Sequence, residues 1–187
     1  MEELSLYILD IAQNSLRASS ALTEITLTET DETVTVSVKD DGCGICEEKL
    51  NEVFNPFYTT RTTGKVGLGI PLFRLAAEQT GGSVWIESSQ KKEDHGTRIN
   101  GVFYKSHIDF PPLGDMASTV CLLAHGCGDG EIVFSHTVNG KEAVNLDTRM
   151  LRAALEGLPL SNPEVQLWIK GYINQQYENI KMQIYPN

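Results

Sequence analysis

Asp40, Gly42 and Gly44 form a D-x-G-x-G pattern, in which one carboxylate is followed by two residues that let the backbone pass close to a flat ring. Gly67-Leu68-Gly69 precedes and opens a helix, where free N–H groups and the positive end of the helix dipole favour phosphates. Arg61 and Lys65 lie in the preceding loop and could supply positive charge. Asn14 carries a side-chain oxygen suited to a hard cation that keeps most of its waters. Asp10 lies one turn before it on the same helix face, and Arg17 one turn after. A nucleoside triphosphate needs a base-specific contact, a phosphate cradle and a bound magnesium ion, and these segments offer a candidate for each.

Each feature also has a plainer reading. Asp-Gly pairs are common in turns. A lone G-x-G in a chain with 16 glycines can be a helix start with tolerant packing. Asp10, Asn14 and Arg17 can be a solvated helix face. No G-x-x-x-x-G-K-[ST] motif occurs in the chain.

The elements that must position these residues follow from periodicity. A helix is predicted from Glu3 to Arg17, with Leu4, Ile8, Ile11 and Ser15 on its apolar stripe. Glu24–Glu29 and Thr33–Lys39 read as strands, which places Asp40 at a strand end. Glu47–Phe54 reads as a short helix. A second helix is predicted from Gly67 to Gln79, with Leu68, Leu72, Leu75 and Ala76 on one stripe, stopped by Gly81-Gly82. Val84–Glu87 and Thr97–Tyr104 read as two more strands.

Pro111-Pro112 and Gly114 mark a linker or sharp turn. Beyond it, Asp115 is positioned to cap a helix through Leu123. Asn139-Gly140 signals a hairpin between Glu131–Val138 and Lys141–Leu146. Asp147 can cap a helix ending near Gly157, and Asn162-Pro163-Glu164 starts a last helix with Val165, Trp168, Ile169, Tyr172 and Gln176 on one face.

Taken together, Leu9–Arg17, Asp40–Ile45, Gly64–Ile70 and His95-Gly96-Thr97 resemble, in this order, the N box and glycine boxes of the GHKL ATP-binding superfamily. Phe54–Arg61 resembles the histidine-kinase F box, and with Gly64–Ile70 it resembles an ATP lid and its following helix. The resemblance spans about Leu4 to Val102. It implies an α/β fold, a two-layer α+β sandwich, over residues 1–105, with a small C-terminal α/β appendage over 106–187. It implies that Asp40 accepts from the adenine amino group and that Asn14 binds magnesium. Gly42, Gly44, Ile45, Thr60, Arg61, Lys65, Gly67, Leu68, Gly69 and Arg17 would surround ATP. Thr97 would join the water network around adenine, and Asp10 would stand at the position of the carboxylate that orients or deprotonates the attacking group. In the commoner pattern that residue is Glu, one methylene longer.

The resemblance leaves the role open between a trans-acting protein kinase or regulator and an ATP-switched binding module with little hydrolysis. No histidine falls in a phospho-acceptor context, and the chain opens at the N-box helix, so autophosphorylation is not expected. The whole arrangement is similar to small bacterial ATP-binding proteins encoded near iron-hydrogenase and NADH-dehydrogenase-like subunits, which suggests a redox-enzyme partner. A protein partner is expected on the lid or the C-terminal segment.

The net charge of −10 argues against general nucleic-acid binding. A mean hydropathy of −0.19, with no long apolar run and no basic signal-peptide start, leads to the expectation of a cytoplasmic chain without membrane segments. Cys43 and Cys46 have C-x-x-C spacing, but the preferred reading is a variable glycine-box position followed by a second thiol. His125-Gly126-Cys127-Gly128 reads as a helix end and a glycine turn rather than a metal site.

Overall fold

A computed structural model of the chain describes residues 3–50, 52–55 and 68–184. Its six strands form one sheet in the order β3-β4-β2-β1-β5-β6. β1 (Leu22–Glu29) and β2 (Thr33–Asp40) are an antiparallel pair at its centre. Alternation decides their faces: Ile25, Leu27, Val34, Val36 and Val38 are buried, while Thr26, Thr28, Thr35 and Ser37 occupy the other face. β4 (Gly96–Tyr104) pairs antiparallel with β2 and with β3 (Ser83–Ser89).

Helices cover the apolar face. α1 (Leu4–Arg17) buries the expected Leu4, Ile8, Ile11 and Ser15 and packs between α2 (Gly69–Gln79) and α3 (Met116–Gly126). α5 (Pro163–Ile184) packs on α3 and on β6 (Lys141–Asp147). The result is the two-layer sandwich that the motifs implied.

The segment after residue 105 joins this same sheet. β4, α3 and β5 (Glu131–Val138) form a crossover that lays β5 parallel to β1, with two strands between it and β4. β1 would otherwise present an unpaired edge. Val120, Leu123, Ile132 and Phe134 belong to one core with Ile25 and Leu27. Asn139 (φ 49°) and Gly140 (φ 76°) make the predicted tight turn into β6. Asp115 caps α3 by accepting from Ser118 N (2.8 Å), and Asp147 caps α4 (Thr148–Ala154) by accepting from Arg149 N (2.9 Å). Cys127 and Gly128 follow the end of α3 as a turn.

Three local expectations differ from the structure. Glu47–Phe54 is not one helix but two short 3-10 turns, Glu47–Lys49 and Glu52–Phe54, neither of which buries a residue to anchor a longer helix. α2 buries Gly69, Phe73, Ala76 and Ala77, whereas Leu68 and Leu75 are 42% and 51% exposed. Gly101 is the reason, because its missing side chain admits the Phe73 ring: a Cβ there would lie 2.5 Å from Phe73 Cζ. On α5, Trp168 is half exposed and stacks on Tyr172 at 4.8 Å, so the buried stripe runs through Val165, Ile169 and Ile173. Gln176 does face the sheet, exchanging two 3.0 Å hydrogen bonds with the backbone of Asn145.

Candidate functional site

A cavity of about 480 Å³ opens between the end of α1, the loop after β2 and the start of α2. Its lining includes Asn14, Arg17, Asp40, Gly44, Ile45, Gly69 and Thr97, which the sequence had placed in separate motifs. Ile11, Ile70 and Ile99 supply apolar wall beside them.

Asp40 ends β2, opposite Thr97 of β4 and Thr23 of β1. It is only 8% exposed. Ser15 Oγ donates to its Oδ2 at 2.6 Å, and the N–H groups of Gly42 and Thr97 donate to its Oδ1 at 3.0 and 3.3 Å. Three donors from three elements fix the plane of this carboxylate. Its neighbour Asp41 does other work, accepting from Leu22 N at 2.9 Å where β1 begins.

Thr97 belongs to a small hydroxyl relay. Ser88 Oγ donates to Gly96 O and accepts from Ile45 N, both at 2.8 Å, and contacts Thr97 Oγ1 at 2.8 Å. Ser88 has one proton and gives it to the carbonyl, so Thr97 is the donor in their contact. Thr97 Oγ1 therefore keeps acceptor capacity for the cavity. His95 Nδ1 donates to Gly42 O at 2.9 Å and ties the β3–β4 turn to the loop after β2.

The glycines of D-x-G-x-G serve packing first. A Cβ on Gly42 would lie 2.8 Å from Ala18 Cβ, and one on Gly44 (φ +68°) would lie 2.0 Å from Ser89 O. Their missing side chains point at protein, so packing also demands glycine at both positions. Gly44 still lines the cavity with its backbone.

Asn14 Oδ1 accepts from Arg17 Nη1 at 3.1 Å, while Arg17 Nη2 donates to Gln13 Oε1 at 3.1 Å. Among the described residues no cluster of three or more His, Cys, Asp or Glu could hold a metal. Asn14 therefore fits a magnesium ion only as one ligand beside phosphate oxygens and waters, the usual mode for that ion. α2 begins at Gly69 with no side-chain cap, and Gly69 and Ile70 of its first turn line the cavity, although Pro71 contributes no N–H. Leu68, its N-cap residue, is exposed and is not part of the cavity wall. Asp10 is not on that wall either. Its carboxylate lies against Gly69, where a Cβ would come within 2.3 Å of Oδ2. Thr60, Arg61, Lys65 and Gly67 lie outside the described residues.

Ser15, Ser88, His95 and Cys46 are site residues that the motif reading did not assign. Ser15 left a signal, since a hydroxyl on an otherwise apolar stripe needs a buried partner. His95 stood inside the His95-Gly96-Thr97 motif without a role of its own, and Ser88 left no signal, because only strand register brings it to Thr97.

Residues 2–106 match the family described as histidine kinase-, DNA gyrase B-, and HSP90-like ATPase. Over 93 residues the chain is 30% identical to the sensor histidine kinase ZraS of Escherichia coli (strain K12), a match covering 49% of this chain and 20% of that protein. It is 34% identical over 85 residues to the sensor histidine kinase CpxA of Escherichia coli (strain K12), covering 43% and 19% respectively. The chain thus spans about a fifth of the length of these curated relatives. Among solved structures, the N-terminal domain of a DNA repair protein superposes with a TM-score of 0.52 at 11% identity, over 78% of this chain and 53% of that one, a likeness of fold.

Proposed function

Because the chain belongs to the histidine kinase-, DNA gyrase B-, and HSP90-like ATPase family, we propose that it binds Mg-ATP in the Asp40 cavity and acts through it on a separate protein, as a trans-acting kinase or regulator. The observation that carries this reading is the buried Asp40 carboxylate, held by Ser15, Gly42 and Thr97 at the wall of a cavity of about 480 Å³. A fixed carboxylate accepts from the amino group of adenine and repels the carbonyl that guanine presents there. Such a charge-assisted bond is worth about 1.5–3 kcal/mol.

Asn14 would hold magnesium jointly with the nucleotide, and Arg17 would exchange its contact with Asn14 for a phosphate oxygen. When bound, the ion neutralises phosphate charge. The N–H groups that open α2 supply a fixed positive end for the same phosphates. Thr60, Arg61, Lys65 and Gly67 would complete the cradle from the lid. Exposed Leu122, Leu167 and Trp168 in the C-terminal segment support a protein partner there.

Asp10 favours a second reading. Its carboxylate sits against Gly69 rather than on the cavity wall, which suits an ATP-switched regulatory subunit with little hydrolysis, for example on a redox enzyme such as an iron hydrogenase. No described helix is long and apolar enough to cross a membrane.

Calorimetric titration with ATP and magnesium, with phosphate release followed in the same sample, tests both readings. Binding with slow or absent release supports a switch or a kinase awaiting its acceptor. Absence of ATP and ADP binding overturns the proposal.

A further inference from the structure

The cavity wall carries two cysteines that nucleotide recognition does not use. Cys43 and Cys46 both line it, and Cys43 is exposed. Gly44, at φ +68°, turns the chain between them. The loop is anchored on each side of Cys43 by Cys43 N donating to Ala18 O (3.2 Å) and Ile45 N donating to Ser88 Oγ (2.8 Å). Cys46 has extended backbone, and its carbonyl accepts from Lys49 N (2.9 Å) to open the 3-10 turn that follows.

The other two thiols are packing groups. Cys121 Sγ donates to Gln166 Oε1 at 2.9 Å and Cys127 Sγ to Ala124 O at 3.2 Å. Burial pushes both thiols above their ordinary pKa, which lowers their reactivity. The one exposed thiol among the four, Cys43, therefore stands on the cavity wall, with Cys46 beside it in the lining.

We propose that Cys43 and Cys46 are a paired thiol modification site, which a peroxide converts to an intramolecular disulfide that excludes nucleotide from the cavity. The Cys43 sulfur attacks one peroxide oxygen, the O–O bond breaks, and Cys43 becomes a sulfenic acid as one water leaves. The Cys46 sulfur then displaces the sulfenic oxygen, the S–S bond forms, and a second water leaves. Two thiols lose two hydrogens and two electrons in total, and the peroxide is reduced by two electrons. The bond closes the loop across Gly44 and Ile45, on the cavity wall three residues from Asp40, and so changes the wall that a nucleotide would meet. The exclusion step rests on the reading of this cavity as the nucleotide site.

The test uses the full chain, reduced and then divided, with one half treated with hydrogen peroxide. Intact mass, peptide mapping and Mg-ATP titration are read on both halves. The expected result is a loss of two hydrogens in mass, a mapped Cys43–Cys46 link, and an affinity lower by about tenfold or more. A thiol reductant restores the affinity, and Mg-ATP present during treatment slows the link. A variant carrying Cys43→Ser and Cys46→Ser, compared with its own reduced form, should show no change on treatment. The proposal is overturned if the linked chain binds as tightly as the reduced one, if no such link maps, or if the double variant loses as much affinity. If the reduced wild-type chain binds no nucleotide, the nucleotide reading itself fails, and the exclusion step falls with it.

Discussion

Ser15 Oγ donates a 2.6 Å hydrogen bond to Oδ2 of Asp40, joining the last turn of α1 to the end of β2. This bond holds the Asp40 carboxylate in one orientation and couples the helix carrying Asn14 to the carboxylate proposed to read the base. Ser15→Ala should cost roughly 1 kcal/mol, an affinity loss of about fivefold for ATP, while the chain stays folded. Asp40→Asn should cost more, about tenfold or greater, because it removes the charge and places an amide donor toward the adenine amino group. Calorimetry on both variants checks this, and wild-type affinity in both would mean the base contact is elsewhere.

Asn14 is engaged by Arg17 at 3.1 Å. If Asn14 is the magnesium ligand, Asn14→Ala should remove most of the magnesium dependence of ATP binding without abolishing the contact with the base. Titrations with and without the ion, in wild type and variant, give the comparison. An unchanged magnesium dependence would move the metal role to another residue.

Gly44→Ala should destabilise the chain more than Gly128→Ala. Both positions have positive φ, +68° and +60°, so both carry the conformational cost of about 1 kcal/mol. Only at Gly44 would the new Cβ meet backbone, 2.0 Å from Ser89 O, whereas nothing lies within 4 Å at Gly128. Chemical denaturation of the two variants measures the difference. Equal losses would show that the loop yields freely.

A chain ending at Tyr104 should be insoluble. It would expose the edge of β1 that pairs with Glu131–Val138, and strip Val120, Leu123, Ile132 and Phe134 from the common core. A soluble fragment that binds ATP would instead establish residues 1–105 as a folding unit.

Glu29 should give the fold an acid limit. The contact with His136, 3.3 Å away, and the Lys105 ammonium at 2.6 Å outweigh burial and hold its carboxyl down to about 2, against an ordinary 4.5. A carboxyl depressed in the folded state contributes stability above its unfolded value and loses it as pH falls. The loss should therefore run from near pH 4.5 toward pH 2. Glu29→Gln should be less stable at neutral pH by about 1–3 kcal/mol and show a flatter acid limb in denaturation curves. An unchanged limb would assign the acid sensitivity to other carboxylates.

Strand alternation around Val34, Val36 and Val38, the Asn139-Gly140 turn, and the caps at Asp115, Asp147 and Asn162 are local, so the order of residues alone determined them. The grouping of Asn14, Asp40, Gly69 and Thr97 was an expectation of the family resemblance of their motifs, and the fold brings the four to one cavity. What tertiary structure decided depends on partners far away in sequence. Phe73 rather than Leu75 turns inward because Gly101 leaves room for a ring, and no periodicity in α2 contains that fact. Ser15 and Ser88 become site residues only when register and helix packing bring them to Asp40 and Thr97. Residues after 105 join the sheet because β1 has a second edge to satisfy, a demand that arises once β1 and β2 have paired.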